Sequence, residues 1–341
     1  MLATLTFPAM ADLRAAPDPA TVVVRSSDEL RGALHAARDR TLSLDLSALN
    51  RMLRLDRRRK RLELQAATSW SSLAAYLSEH GGGAHAGLLA QAFCGSVGDS
   101  VSANEAGPDG EPLAVHVEAI SLVSAQGELR RADRQTNAGL FRLAVGGHGL
   151  LGVLYSVTLR IDSLLNAAAR AETLVSLDLA QPGPKSAEPR AVRFFVPPAK
   201  LDAVLESFKE LAEEHRVELH SVAVRKVHPE HETVLRWATR EWASVQLRYA
   251  VRPTLGACAH ATEIERRWLG VALQQGGSFP IGTSPLPTLA QFEACYPALR
   301  EFIAGKRRQD PADRLQSPWY RRVSAMLRSE WPAAQASAGA E

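Results

Sequence analysis

The stretch GLFRLAVGGHGLLGVLYSVTLRI, residues 139–161, decides the fold. In its second half Val153, Tyr155, Val157, Leu159 and Ile161 take every other position, the period of a strand with one buried face. Glycines 146, 147, 149 and 152 lead directly into that strand. A doubly wound dinucleotide-binding unit has another order, strand, then GxGxxG, then helix. The glycine cluster therefore does not open a Rossmann helix.

Upstream, VEAISLVSAQGELRRA (117–132) reads as a hairpin turning at Gln126-Gly127, and NRMLRLDRRRKRLELQAA (50–67) as a second, with its Arg/Lys run at the tip. No aromatic side chains interleave with that run, so a solvated turn explains it better than a nucleic-acid patch. Earlier still, Val22–Val24 form a short strand. Ser26 with Glu29 opens a helix that runs to about Arg38, and TLSLDLS (41–47) alternates as a strand. TSWSSLAAYLSEHGGG (68–83) is a helix closed by glycine. Strands that arrive mostly as hairpins, with helices between, define an α+β class.

Downstream, the Pro-rich stretch LAQPGPKSAEP (179–189) reads as a loop inserted in a second domain. Strands RAVRFFV, VELHSVAVRKV and WASVQLRYAV follow, with a helix bearing the stripe Leu201, Val204, Leu205, Phe208, Leu211 and Ala212 and another over ATEIERRWLGVALQQGG. A sheet with helices on one face is the simplest arrangement. Thr288 and Gln291 cap a further helix, read as one stripe through Phe292, Cys295, Leu299, Phe302 and Ile303. Residues 1–19 and 332–341 read as flexible termini.

The 341 residues suffice for two domains. A net charge of +3, with 46% hydrophobic and 23% charged residues, is that of an ordinary soluble protein and implies no polyanionic partner. Three widely spaced cysteines give neither a zinc spacing nor a disulfide framework. With a poor signal-peptide pattern and no run of membrane-spanning length, the expected location is the cytoplasm.

Five stretches in order carry a family resemblance: LSLDLSALNRMLRLD, LELQAATSWSSLAAYL, GSVGDSVSAN, LFRLAVGGHGLLGVLYSVTLRI and KRRQDPADRLQSPWYRR. Between about Val22 and Arg322 the chain resembles FAD-linked oxidoreductases of the p-cresol methylhydroxylase/vanillyl-alcohol oxidase superfamily. Within it, the chain is most similar to bacterial dehydrogenases akin to decaprenylphosphoryl-ribose oxidase. The resemblance implies a PCMH-type FAD-binding domain over 20–165, an α+β cap domain for a small-molecule substrate over 166–290, and a C-terminal return to the FAD domain over 291–325. It implies that Gly95, Ser96, Val97, Gly98, Ser102 and Asn104 lie along the cofactor, together with Gly149, Leu150, Gly152 and Val153. Converging backbone N–H groups beside glycines suit a pyrophosphate. In such enzymes the flavin takes a hydride from a carbon bearing a hydroxyl, and a base removes the hydroxyl proton.

The sequence departs from this pattern in three places. Relatives carry an Arg-Gly-x-Gly-x-Ser loop before the strand LSLDLS, where here Arg38-Asp39-Arg40 joins the helix almost directly to Thr41. Relatives place a histidine where Ala106 stands, leaving Glu105 as the candidate base, against the alternative of a surface carboxylate. A Tyr-His-Arg-like strand is replaced by FPIGTSPLPT (279–288), which retains only the hydroxyls Thr283 and Ser284. Lys306 is the second candidate catalytic residue, since a lysine in this region of relatives approaches the flavin. Cys94 has the spacing of the cysteine bonded to flavin in berberine-bridge-type relatives, against the alternative of a buried thiol. Two readings follow: an FAD-dependent oxidoreductase acting on an alcohol, or a flavin-free relative serving as a binding or partner subunit or running different chemistry. No metal site and no nucleic-acid partner is expected.

Overall fold

The computed structural model describes residues 21–37, 42–83, 85–93, 95–170, 175–178, 187–282 and 287–337, with 175–178 and 330–337 as backbone. The chain divides into two compact units. One holds residues 1–171, 232–236 and 298–341, and the other 172–231 and 237–297.

In the first unit, β1 (Thr21–Val23), α1 (Ser27–Ala36) and β2 (Ser43–Asp45) form the βαβ element, with β1 parallel to β2. The Ser26 hydroxyl accepts the Glu29 N–H at 3.1 Å, and the Glu29 carboxylate accepts the Arg25 N–H at 2.8 Å, so the helix starts where its sequence signal says. Leu30 and Leu34 of α1 pack with Leu44, Leu49, Val123 and Val153 in one buried cluster.

β3 (Met52–Asp56) and β4 (Arg61–Gln65) make the basic-tipped hairpin. They lead into α2 (Trp70–Glu79), α3 (Ala86–Ala92) and α4 (Val97–Ala103). β5 (Val117–Val123) and β6 (Leu129–Asp133) form the next hairpin, followed by α5 (Ala138–Ala144), β7 (Val153–Arg160) and α6 (Ile161–Ala169). The sheet order is β3-β4-β7-β5-β6, so the strand that follows the glycine cluster lies at its centre, antiparallel to both neighbours. This sets the strongly alternating stretch where two ladders need it.

The second unit is an antiparallel sheet of β8 (Val175–Asp178), β9 (Glu188–Val196), β10 (Leu219–Val227) and β11 (Trp242–Val251), in the order β8-β10-β11-β9. Helices α7 (Leu201–Glu214) and α8 (Leu255–Gln274) cover the face that carries Phe194 and Tyr249. Phe208 of α7 lies 5.2 Å from the Phe194 ring, and Trp268 of α8 lies 5.6 Å from Tyr249. The opposite face is closed in part by aromatics instead, with Phe195 stacked on Trp237 at 4.4 Å.

The expected single helix around Phe292 and Ile303 is two helices, α9 (Leu289–Cys295) and α10 (Leu299–Gln309). Pro297 supplies no N–H and disfavours helical backbone at Tyr296, which sits at φ −128°, ψ 77°. The Thr288–Gln291 capping box is present in full. The last element, α11 (Pro318–Ser337), extends into the stretch expected to be a flexible tail. Among the described residues, no helix is long and apolar enough to cross a membrane. Residues 38–41, most of the 179–189 loop, Thr283 and Ser284 lie outside the described residues.

Candidate functional site

The segment GSVGDSVSAN is not a loop but the helix α4 with its two caps. The Ser96 hydroxyl accepts the Asp99 N–H at 3.1 Å and donates to the Asp99 carboxylate at 2.8 Å. At the other end Asn104 adopts the left-handed conformation, φ 49°, which its short polar side chain tolerates. The glycine segment 146–152 is laced to this helix. The Gly146 N–H donates to Val101 O at 3.0 Å, and the His148 N–H to Ser102 O at 2.9 Å. The two stretches expected to line one cofactor are therefore neighbours in the first unit.

They divide sharply into a spent half and an open half. Val97 N–H is given to Thr68 O, Gly98 N–H to Ala66 O, Asn104 N–H to Val101 O, and Leu150 N–H to Gly147 O. The Asn104 side-chain oxygen accepts the Ala114 N–H at 2.8 Å. Gly98 needs its missing side chain because a Cβ would lie 2.7 Å from Ala66 O. Gly152 needs its own because a Cβ would meet Leu122 at 2.6 Å. Val153 is buried in β7 opposite Val123. These six positions serve packing. Gly95, Ser96, Ser102 and Gly149 remain at least partly exposed. Gly95 and Gly149 have φ of 80° and 76°, and the space beside Gly149 is open. The exposed carboxylate of Asp99 sits on the same edge.

Glu105 follows the left-handed residue and is half-buried. Its carboxylate Oε2 accepts the Ser100 hydroxyl at 2.8 Å, and Ser100 Oγ accepts the Trp70 indole N–H at 2.9 Å. Trp70 in turn stacks on Phe93 with ring centroids 4.0 Å apart. The backbone of Glu105 is fixed on both sides, its N–H to Ser100 O and its carbonyl to the Leu113 N–H.

Lys306 does not stand with this group as a free cation. It is fully buried, paired with Asp310 at 3.0 Å and with Asp313, and its ammonium lies 4.7 Å from the Tyr320 ring centre. Burial pushes the Asp313 carboxyl up, but hydrogen bonds from Lys306 and Tyr320 outweigh it and hold the group below the usual range. A lysine paired with two carboxylates ties α10 to the start of α11. Cys94 lies outside the described residues.

Two histidines not singled out for chemistry have displaced titrations. His148, with φ 51° and its ring 5.9 Å from Trp319, is pushed down to about 4 by burial. His116 is buried, its Nδ1 2.8 Å from the Ser163 hydroxyl and its Nε2 3.9 Å from the Asp109 carboxylate, which Arg170 binds at 3.0 Å. Burial pushes His116 down to about 4 against the pull of Asp109. A base whose folded pKa lies below its unfolded value contributes stability that is complete above about pH 6.5 and lost as the pH falls toward 4. Urea unfolding should therefore show His116 alone costing about 2 kcal/mol by pH 5, and His116→Asn should flatten that part of the pH slope.

Comparison with known proteins gives the class. Residues 10–133, about a third of the chain, match the family described as FAD binding domain. Among solved structures the chain is similar to BBE-like 1 of Physcomitrella patens, with 13% identity and a TM-score of 0.63 over 88% of this chain and 90% of that one. A variant of the same protein matches with 14% identity and the same TM-score and coverage. These likenesses establish the fold, the expected α+β PCMH-type architecture. They do not single out the decaprenylphosphoryl-ribose oxidase branch. No curated protein matches significantly.

The residues present fit FAD along the open edge only. Left-handed Gly95 and Gly149 let a ligand approach backbone closely, and Ser96 and Ser102 add hydroxyls. In the buried half the backbone N–H groups of Val97, Gly98, Asn104 and Leu150 are already given to protein carbonyls.

Proposed function

We propose that the protein is an FAD-dependent dehydrogenase or oxidase acting on the CH–OH group of an alcohol, sugar-like alcohols included. The single observation that supports this reading is the Glu105 carboxylate, held by Ser100 just after α4, in a stretch that matches an FAD binding domain family. FAD, when bound, supplies the hydride acceptor. The chain's own part is to hold the cofactor through Gly95, Ser96, Ser102 and Gly149, and to take a proton. The Glu105 carboxylate accepts the substrate hydroxyl proton while the carbon-bound hydrogen leaves with its electron pair, and the product is a carbonyl compound. Neutral His148, within the same glycine segment, adds no competing positive charge at neutral pH.

A second reading is favoured by one specific feature. The connection from α1 to β2, Ala37 to Leu42, contains no glycine and so lacks the Gly-rich loop of the relatives. In that reading the domain holds no flavin and acts as a binding or partner subunit.

The visible spectrum of the purified protein separates the two. Flavin bands, present on isolation or after adding FAD, are expected, and anaerobic bleaching by an alcohol completes the case. A protein that stays colourless with excess FAD sinks the oxidoreductase reading. Bands that survive acid precipitation would assign Cys94 as a covalent attachment point, and Cys94→Ala would then release them.

A further inference from the structure

Trp70, Ser100 and Glu105 form a hydrogen-bonded chain whose direction is fixed by chemistry. An indole N–H can only donate, so Ser100 Oγ must accept from Trp70 at 2.9 Å. The one hydroxyl proton of Ser100 is then free for Glu105, 2.8 Å away, and an ionised carboxylate can only accept it. Trp70 and Ser100 are both buried, at 1% and 0% exposure, so no water competes for either bond. The stack of Trp70 on Phe93, 13° from parallel, removes the remaining freedom of the indole. Glu105 Oε1 has no hydrogen-bond partner among the described residues, and the residue is half-buried rather than enclosed. The result is a carboxylate with one oxygen clamped and the other uncommitted among the described residues.

From this we infer that Ser100, oriented by Trp70, is the positioning residue for Glu105. It fixes which carboxylate oxygen receives the substrate proton. The inference rests on the reading of Glu105 as the proton acceptor. Neither Ser100 nor Trp70 touches the reacting atoms. Ser100 instead converts a flexible side chain into a preorganised acceptor, because a charge-assisted bond to one oxygen removes the rotamers that would turn the other away.

The relay can be read without any turnover. Six tryptophans give six indole N–H signals in a nitrogen-15-labelled sample, and Trp70→Phe identifies the one of interest. In Glu105→Gln the Trp70 signal should move, although the two side chains share no bond, because the Ser100 hydroxyl between them loses its anionic acceptor. Ser100→Ala should move it further, and Ser100→Thr should restore it. With flavin bound, Ser100→Ala should lower kcat about tenfold with KM unchanged, and Ser100→Thr should keep most of the rate.

A Trp70 signal indifferent to Glu105→Gln overturns the relay, and Glu105 is half-buried enough for that variant to fold if Ser100→Ala does not. Equal kcat values for Ser100→Ala and Ser100→Thr overturn the positioning role. A protein that shows the indole response but never binds flavin leaves the relay standing and removes the oxidoreductase reading, so the two failures are distinct.

Discussion

Replacing Lys306 by methionine is expected to lower the stability of the protein by about 3–5 kcal/mol. The methionine keeps most of the apolar stem, so the loss is one of charge. Asp310 is 1% exposed and its Oδ1 already lacks a hydrogen-bond partner. Its Oδ2 accepts from Lys306 and from the Leu315 N–H at 2.8 Å. Without the ammonium a carboxylate remains in an apolar place with one neutral donor, the arrangement that costs most when half of a buried pair is deleted. Asp313 and Tyr320 lose a partner as well, since the Tyr320 hydroxyl donates to Asp313 at 2.7 Å in the same cluster.

Equilibrium urea unfolding measures the loss, and adding Asp310→Asn to the variant should recover a large part of it. If Lys306→Met instead folded as stably as the parent and lost only flavin-linked activity, the lysine would belong to the site after all.

Gly98→Ala is the second large effect, expected at about 3 kcal/mol of destabilisation whether or not FAD is added. The new methyl would sit 2.7 Å from Ala66 O and 2.8 Å from the Ala66 Cβ. The Gly98 N–H is also bonded to that same carbonyl at 2.8 Å. Backbone held by its own hydrogen bond cannot retreat by the required amount, so the clash is taken up as strain. Gly149→Ala makes the contrast. Nothing lies within 4 Å of the added carbon, and only the left-handed φ of 76° is penalised, by about 1–2 kcal/mol. Thermal unfolding and FAD titration of both variants together separate a glycine kept for packing from one kept for a ligand. The first should lose stability with or without FAD, and the second should mainly lose FAD affinity.

These two residues also illustrate what the chain discloses before it folds. The alternation from Val153 to Ile161, the hairpin turns at Lys60 and Gly127, and the caps at Ser26 and Thr288 are local signals, and each appears where its period or cap chemistry requires. Short helices rich in glycine and serine are a different case. The stretch that becomes α4 has the composition of a loop and is helical because Ser96 caps it and Val97 and Val101 are buried. Gly98 looks like a phosphate-binding glycine in one dimension, since only the fold brings Ala66 beneath it. Lys306, Asp310 and Asp313 are spaced i, i+4 and i+7, but the helix ends at Gln309, so their meeting depends on the turn that follows. Likewise, nothing local says that residues 232–236 belong with the first unit, where the Val234 N–H donates to Arg142 O at 2.9 Å and Arg142 donates to Glu232 O at 2.9 Å.

The C-terminus of α1 carries a further consequence. Its last carbonyls, Leu34 O at 2.8 Å and Ala37 O at 3.2 Å, accept from the guanidinium of Arg314, which also binds Ala125 O. The group that finishes the first helix is thus encoded some 280 residues after it. During synthesis at about 5–20 residues per second, that helix end waits tens of seconds for its cap, exposed throughout on the emerging chain. A nascent chain stalled before Arg314 should therefore show amide exchange at the end of α1 that a completed chain suppresses. Premature termination anywhere upstream would release a product whose first and last elements never meet.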